Sequence, residues 1–476
     1  MVRAWGSGRV VKKEERRTVV STEYGEISAV RIGDGINGSY LLHFFSLEPN
    51  SVLLPVVLNA DMVFYVHAGR GQLSWTEEEE LMHIDIRRGD VHRLLRGTVL
   101  YMRSDEMEQE RLKIHALFAN SNDDLHGPET GPYTSIQDMV LGFDTRILQA
   151  TFKVSEEVID EVLGGTKAAA ITHADQFCRG IGESCKLGLS SMKNKKKKKE
   201  TKEKEKEKGK DKEKRQVRLF NILEADKEIE NCNGWSTTVT QKQLPALEGS
   251  NIGLYMVNLA PGSMMGPHWN EMDTEVVVIL EGSGMVRVVS GSARFQVEQG
   301  DVFAVPRFHP MAQMAFNNGT FVFLGFTRIT QRNRPQFLAG GSSVLQILSK
   351  QVLEIAFNVS RKTLDELLAA QDDSVVISSC TSCAEQEMQM MEEGGGGGGG
   401  AEEEETERQQ EKERRRQGRE EEEEERWEEE RKEREEEAGS RHEETEEPPH
   451  EHEHEHENRH LHDGGVRRIL KNKKIN

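Results

Sequence analysis

No run of about 18 apolar residues occurs in this chain of 476 residues, so no helix of it is expected to span a membrane. The start of the chain carries no apolar stretch either: Met1, Val2, Arg3, Ala4, Trp5 and Gly6 lead within a few residues to Lys12, Lys13, Glu14 and Glu15. The missing signal peptide leaves two expectations, a cytosolic protein or an N-terminus that is not the natural one. Cysteine is scarce. The five cysteines (Cys178, Cys185, Cys232, Cys380 and Cys383) cannot all pair and lie outside the strand-forming runs, so disulfides are not expected to build the core. Cys380 and Cys383 form a CxxC that reads as a redox pair, as half a zinc site or as one local disulfide, and no second CxxC accompanies it. Apolar residues are short as well. With 35% hydrophobic and 31% charged residues the chain is too polar to be globular throughout, and part of it must be unstructured.

The charge shows which part. Residues 193–215 carry 14 basic and six acidic side chains and no apolar one, whereas residues 402–438 carry 20 acidic and ten basic ones. The net charge of −20 therefore says little about the folded surface, and no nucleic-acid partner is expected. A segment without apolar residues cannot offset the entropy of ordering, so 193–215 is expected to be mobile and open to proteolysis, the heart of a disordered, lysine-rich linker taken as residues 186–216. From Gln386 to Asn476 a glycine run, a Glu/Arg block and a His/Glu run (His450 to His456) give a disordered tail, whose imidazoles could chelate transition metals loosely.

What remains is β-rich. Short runs such as 40–45, 51–58 and 62–66, separated by Gly and Asn, argue for a sandwich or barrel. The same words return later. Gly69 and Gly71 answer Gly282 and Gly284, and Gly89-Asp90-Val91 answers Gly300-Asp301-Val302. After each set of strands, residues 147–163 align without gaps on 352–368, with seven of 17 positions identical. In each copy Ser155 or Ser360 stands where it would cap a helix, with apolar residues three and four apart behind it. The chain thus reads as a duplicated barrel plus helical arm, over residues 12–170 and 217–378. Phe152, Ile159 and Leu163, and likewise Phe357, Leu364 and Leu368, would be left exposed by an isolated barrel and mark an interface.

The chemistry concentrates between Gly262 and Gly282. If residues 267–270 are extended, His268 and Asn270 share a face and Trp269 takes the other, while Glu275 opens a strand that follows a polar turn. This spacing resembles the first signature of the cupin superfamily: Gly262, five residues, His268, Asn270 in place of a second His, Glu275, six residues, Gly282. The second signature is matched by Gly300 and Pro306. Met311 stands where the enzymes of the family carry their last His, and His309, two residues earlier, would lie on the same strand face. In the first copy Val56, Leu58 and Met62 or Val63 occupy the corresponding positions, an aliphatic face that binds no ion; His67 and His92 there read as structural or surface residues.

Two tandem barrels with helical arms, a charged insert and a Glu/Arg-rich extension together resemble the vicilin, or 7S globulin, seed storage proteins over residues 12–378. The resemblance implies a mainly β fold of two jelly-roll cupin barrels. It also implies a homotrimer joined head to tail through the arms, a nutrient reserve rather than an enzyme, and a protein storage vacuole reached by the secretory pathway, with vacuolar proteases as processing partners. The alternative is a metal-dependent cupin enzyme of the oxygenase or oxalate-degrading type. His268, Asn270, Glu275 and His309 are the candidate metal ligands, and two imidazoles with one carboxylate suit Cu²⁺ or Zn²⁺ in a structural or vestigial site better than catalysis.

Overall fold

In the computed structural model, residues 10–393 are described, apart from 34–38, 108, 120–130, 166, 175–218, 251, 272, 290–292, 328–334 and 374. The expected linker at 186–216 and the expected tail beyond Glu393 lie outside the described residues.

Each repeat folds into two antiparallel sheets that close on each other. In the first, a seven-stranded sheet faces a six-stranded one. The larger is centred on Asp61–Ala68, Leu112–Ala119 and Ser39–Leu47, the smaller on Ser51–Leu58, Val99–Ser104 and Arg70–Glu77. The second repeats the arrangement, with Glu275–Glu281, Phe321–Thr327 and Gly253–Leu259 in the larger sheet and Ser283–Val288, Met311–Ala315 and Ser263–Trp269 in the smaller. Each barrel has its own apolar interior. Phe64, Trp75, Leu100 and Phe118 fill the first; Val277, Ile279, Phe303 and Phe323 fill the second.

A third core lies between the barrels. Val63 and Tyr65 of the first repeat and Val276, Val278 and Leu280 of the second are buried there together. Alternate residues of each strand therefore point into a barrel or into the seam, which is why 276–280 reads as an unbroken apolar run instead of an alternating one. His67 and His115 stack in the first repeat, their ring centroids 4.8 Å apart, and Phe44 packs edge-on to His115. The first-repeat positions that replace the candidate ligands, Val56, Leu58 and Met62, are buried in the aliphatic interior.

The repeated Gly-Asp words clamp an exchange of strands between the halves. Val10–Val11, ahead of the first barrel, pairs with Val302 and Phe303 of the second, while Phe220–Asn221, ahead of the second, pairs with Asp90 and Val91 of the first. Asp301 accepts the Lys13 backbone N–H at 3.0 Å, the Lys12 ammonium at 2.7 Å and the Glu298 N–H at 2.9 Å. Asp90 accepts the Arg87 N–H and the Asn221 side-chain amide, each at 2.9 Å. Gly89 (φ +93°) and Gly300 (φ +99°) take a left-handed conformation, and a Cβ would come within 2.4 Å of Asn221 in one and 2.7 Å of Lys13 in the other.

The repeated helical block is a helix hairpin. Thr145–Phe152 and Lys350–Phe357 end at Lys153 (φ 56°) and Asn358 (φ 50°), both left-handed, and Glu156–Gly164 and Arg361–Ala369 follow. Ser360 caps its helix as expected; the Ser155 hydroxyl makes no capping bond. The expected exposed stripe needs correction. Ile159, Leu364 and Leu368 are buried, and in the second arm Leu353, Leu364 and Leu368 hold the two helices together. Phe152 (57% exposed) and Phe357 are exposed as expected and Leu163 is half-buried; the apolar faces left in solvent are completed by Ile147, Val158 and Val162 in one arm, and by Val352, Ile355 (82%) and Leu367 in the other. The boundary expected at Gln386 also falls inside an element, the helix Thr381–Glu393, whose Ala384 and Met388, four residues apart, pack on the second barrel.

Replacing Asp301 with Ala orphans two backbone N–H groups at the clamp. The expected loss is about 2–4 kcal/mol in urea unfolding. An unchanged midpoint would mean that the exchanged strand contributes nothing.

Candidate functional site: the interior of the second barrel

The alternation that points Val277 and Ile279 inward places Glu275 in the same interior, and Tyr255 follows Val257 and Leu259. Tyr255 sits opposite Gly325 in register, and its ring occupies the space a side chain there would need: a Cβ at 325 would lie 2.0 Å from it. The ring thereby reaches Glu275. Its O–H donates to Oε1, and the Asn270 amide donates to Oε2 at 2.5 Å. Burial pushes the Glu275 carboxyl up to about 7 against the pull of these two donors, and burial beside Glu275 raises the Tyr255 phenol well above its usual value.

The two histidines are anchored alike. His268 Nδ1 lies 2.9 Å from the Gly266 carbonyl and His309 Nδ1 lies 3.0 Å from the Arg307 carbonyl, in each case two residues back. A carbonyl only accepts, so Nδ1 carries the hydrogen and Nε2 keeps a lone pair. Burial lowers His268 to about 4, which keeps it neutral. His309 Nε2 and Asn270 Oδ1 are buried without a partner among the described residues. His309 does not share a strand face, as the spacing suggested: Pro306 and Pro310 flank it in a turn ahead of Met311–Ala315, because neither proline has an N–H for the ladder. That turn is tied to the other ligand candidates by the Phe308 N–H, which donates to the Asn270 carbonyl at 2.7 Å. Met311, in place of the enzymes' last His, pairs in register with His268 and is buried in the interior.

The structure thus joins Asn270 to Glu275 and ties each imidazole to its own backbone. Among the described residues no three His, Cys, Asp or Glu side chains converge as a metal group. Tyr255 was missed by the sequence reading; its signal was the inward parity of 255, 257 and 259 together with the glycine interrupting Phe321–Thr327.

The arrangement defines a bicupin. The profile described as Cupin matches residues 15–160 and 220–365, once over each barrel, and the chain belongs to that family. More particularly, it belongs with the vicilin-like proteins. Two vicilin-like seed storage proteins of Arabidopsis thaliana are each 42% identical to it, over 387 and 386 residues. The alignments cover 77% of this chain in both cases and 53% and 74% of the relatives, so the chain spans about half the length of the first. The fold matches the crystal structures of vicilin from hazelnut, Corylus avellana (TM-score 0.62, 21% identity, 78% of this chain and 100% of that one), and from tomato, Solanum lycopersicum (0.64, 18%, 78% and 99%).

The raised Glu275 predicts a pH effect of defined sign. A carboxyl whose folded pKa of about 7 exceeds its ordinary value of 4.5 contributes stability that is complete below pH 4.5 and lost as pH rises through 7. His268, lowered from 6.5 to about 4, acts oppositely, its contribution lost as pH falls through 4, so the wild-type curve alone mixes the two. Glu275→Gln isolates the carboxyl: relative to this variant, the wild type should lose about 2–3 kcal/mol between pH 4.5 and pH 8 in urea unfolding. A pH-independent difference would show that Glu275 is not buried as described.

Proposed function

We propose that this vicilin-like protein is a storage globulin, laid down as a homotrimeric, non-enzymatic nutrient reserve in the protein storage vacuole, reached through the secretory pathway and mobilised by vacuolar proteases. The observation that carries the non-enzymatic reading is the state of the second interior. Both Glu275 oxygens are held by Tyr255 and Asn270, and a thioether, Met311, replaces the last His, so no open, carboxylate-bearing metal site is presented to a substrate. Homotrimer formation is supported by the two apolar arm faces, one following each barrel of a duplicated chain, since two such faces per protomer can close a ring when joined head to tail. Light scattering should give three times the protomer mass. Phe152→Glu with Phe357→Glu should give a single protomer with unchanged circular dichroism; a wild-type monomer at micromolar concentration would contradict the assembly.

A second reading, occupancy of His268, Asn270, Glu275 and His309 by one divalent ion such as Cu²⁺ or Zn²⁺, is favoured by one feature. Both imidazoles donate Nδ1–H to the backbone and keep Nε2 as a lone pair, the tautomer that metal-bound histidines adopt. Elemental analysis of the chain truncated before Gly394, which removes the histidine tail, should find more metal than in its His268→Ala, His309→Ala variant. Equal contents would leave a hydrogen-bonded network alone, and oxygenase or oxalate-degrading turnover lost in the variant would overturn the storage role.

A further inference from the structure

The CxxC is untouched by the storage role. The strand Ile377–Ser379 adds to the edge of Ser263–Trp269, and the chain turns at Cys380 straight into the helix Thr381–Glu393. The Cys380 N–H donates to the Gly262 carbonyl at 2.7 Å, and its own carbonyl accepts the Ala384 N–H at 3.0 Å, so Cys380 opens the helix. Cys380 and Cys383 are joined as a disulfide with their Cα atoms 5.2 Å apart. The bond links the first turn to itself and tethers nothing distant. Because the stabilisation from a cross-link grows with the loop it closes, a loop this short makes a poor staple. Its place is well suited to exchange instead: the N-terminal end of a helix favours a thiolate, which makes each sulfur a better leaving group. Both cysteines are half-buried, and Thr381 and Ser382 between them are exposed.

What the turn holds down is defined. Ala384 is buried against Met285, Met314 and Phe316 on the outer face of the smaller sheet, with Cys383 and Met388 packed on the same cluster. Glu387 pairs with Arg294 at 2.5 Å, both largely buried. Cys383 is therefore half of the sulfur pair and also part of the contact that docks the helix.

We infer that Cys380–Cys383 is a thiol–disulfide exchange site, opened in the folded protein by a dithiol reductant, and that opening it loosens the helix Thr381–Glu393 from the second barrel. A reductant thiolate attacks one cysteine sulfur, the S–S bond breaks, and the other cysteine leaves as a thiolate that takes up a proton. The reductant's second thiol then displaces the mixed disulfide. Two electrons and two protons pass to the cysteines, and the reductant departs as a disulfide. Two separate thiols need more room than one S–S bond, and Cys383 is packed on the cluster of Met285, Met314 and Phe316 that docks the helix.

The full-length native protein, incubated with millimolar dithiothreitol, alkylated and mapped by peptide mass spectrometry, tests the first half. Cys380 and Cys383 should be labelled in the folded state only after reduction, while exposed, unpaired Cys232 is labelled with or without it. Hydrogen exchange tests the second half. Amides of 381–390 should exchange at least tenfold faster after reduction while those of Glu275–Glu281 do not change, and a Cys380→Ser, Cys383→Ser variant should exchange at the fast rate with no response to dithiothreitol. A pair that resists reduction until the barrels unfold overturns the proposal, as does a pair that is reduced with no change in exchange of the helix.

Discussion

Each seven-stranded sheet carries apolar side chains on both faces, and one barrel interior covers only one of them. Met62, Phe64 and Val66 fill the first interior while Val63 and Tyr65, from the same strand, are left facing out; Val277 and Ile279 alternate in the same way with Val276, Val278 and Leu280. A sheet with two apolar faces must find a second partner, and here the partner is the other copy of the same sheet. The duplication is thus a requirement of burial. With the sheets back to back, the outer edges can be finished by strands borrowed from the opposite half, and the helical arms keep apolar faces exposed.

Much of this was legible in the chain. The period-two runs specified strands, the recurring words specified the repeat, and the aliphatic substitutions at Val56, Leu58 and Met62 specified a first barrel without donors. The seam was not legible, because a strand buried on both sides reads the same whether its second face meets a helix, a sheet or another chain. Gly-Asp was recognised as a repeated word, but its use depends on residues 131 positions away in one copy and 288 in the other, and on a backbone angle that no pattern displays. In the arms, Ile159 and Leu364 belong to the hairpin's own packing, while Phe152 and Phe357 do not; helical spacing alone cannot divide one apolar stripe between two neighbours. The helix Thr381–Glu393 was hidden by its charge, since it packs through Cys383, Ala384, Met388 and an ion pair and not through a broad apolar face.

The interior of the second barrel shows what holds a polar group in place once apolar residues surround it. Glu275 cannot be buried unpaired, so Tyr255 and Asn270 each give it a hydrogen bond, and Gly325 gives the tyrosine ring its space. Losing any one of these leaves the rest short of a partner among apolar side chains. Signature residues at such positions keep one another in place whether or not an ion binds among them.

The borrowed strands also set an order of events during synthesis. Val10 finds its sheet only when Phe303 has left the ribosome, whereas Phe220 meets Val91 as soon as it emerges. At ordinary elongation rates of about 5–20 residues per second, the 10-to-303 separation leaves the earliest strand without its partner for roughly 15–60 s. The second barrel is the late half, yet it is closed by a strand made before the first barrel, so a nascent protein halted between the barrels carries that strand without its partner.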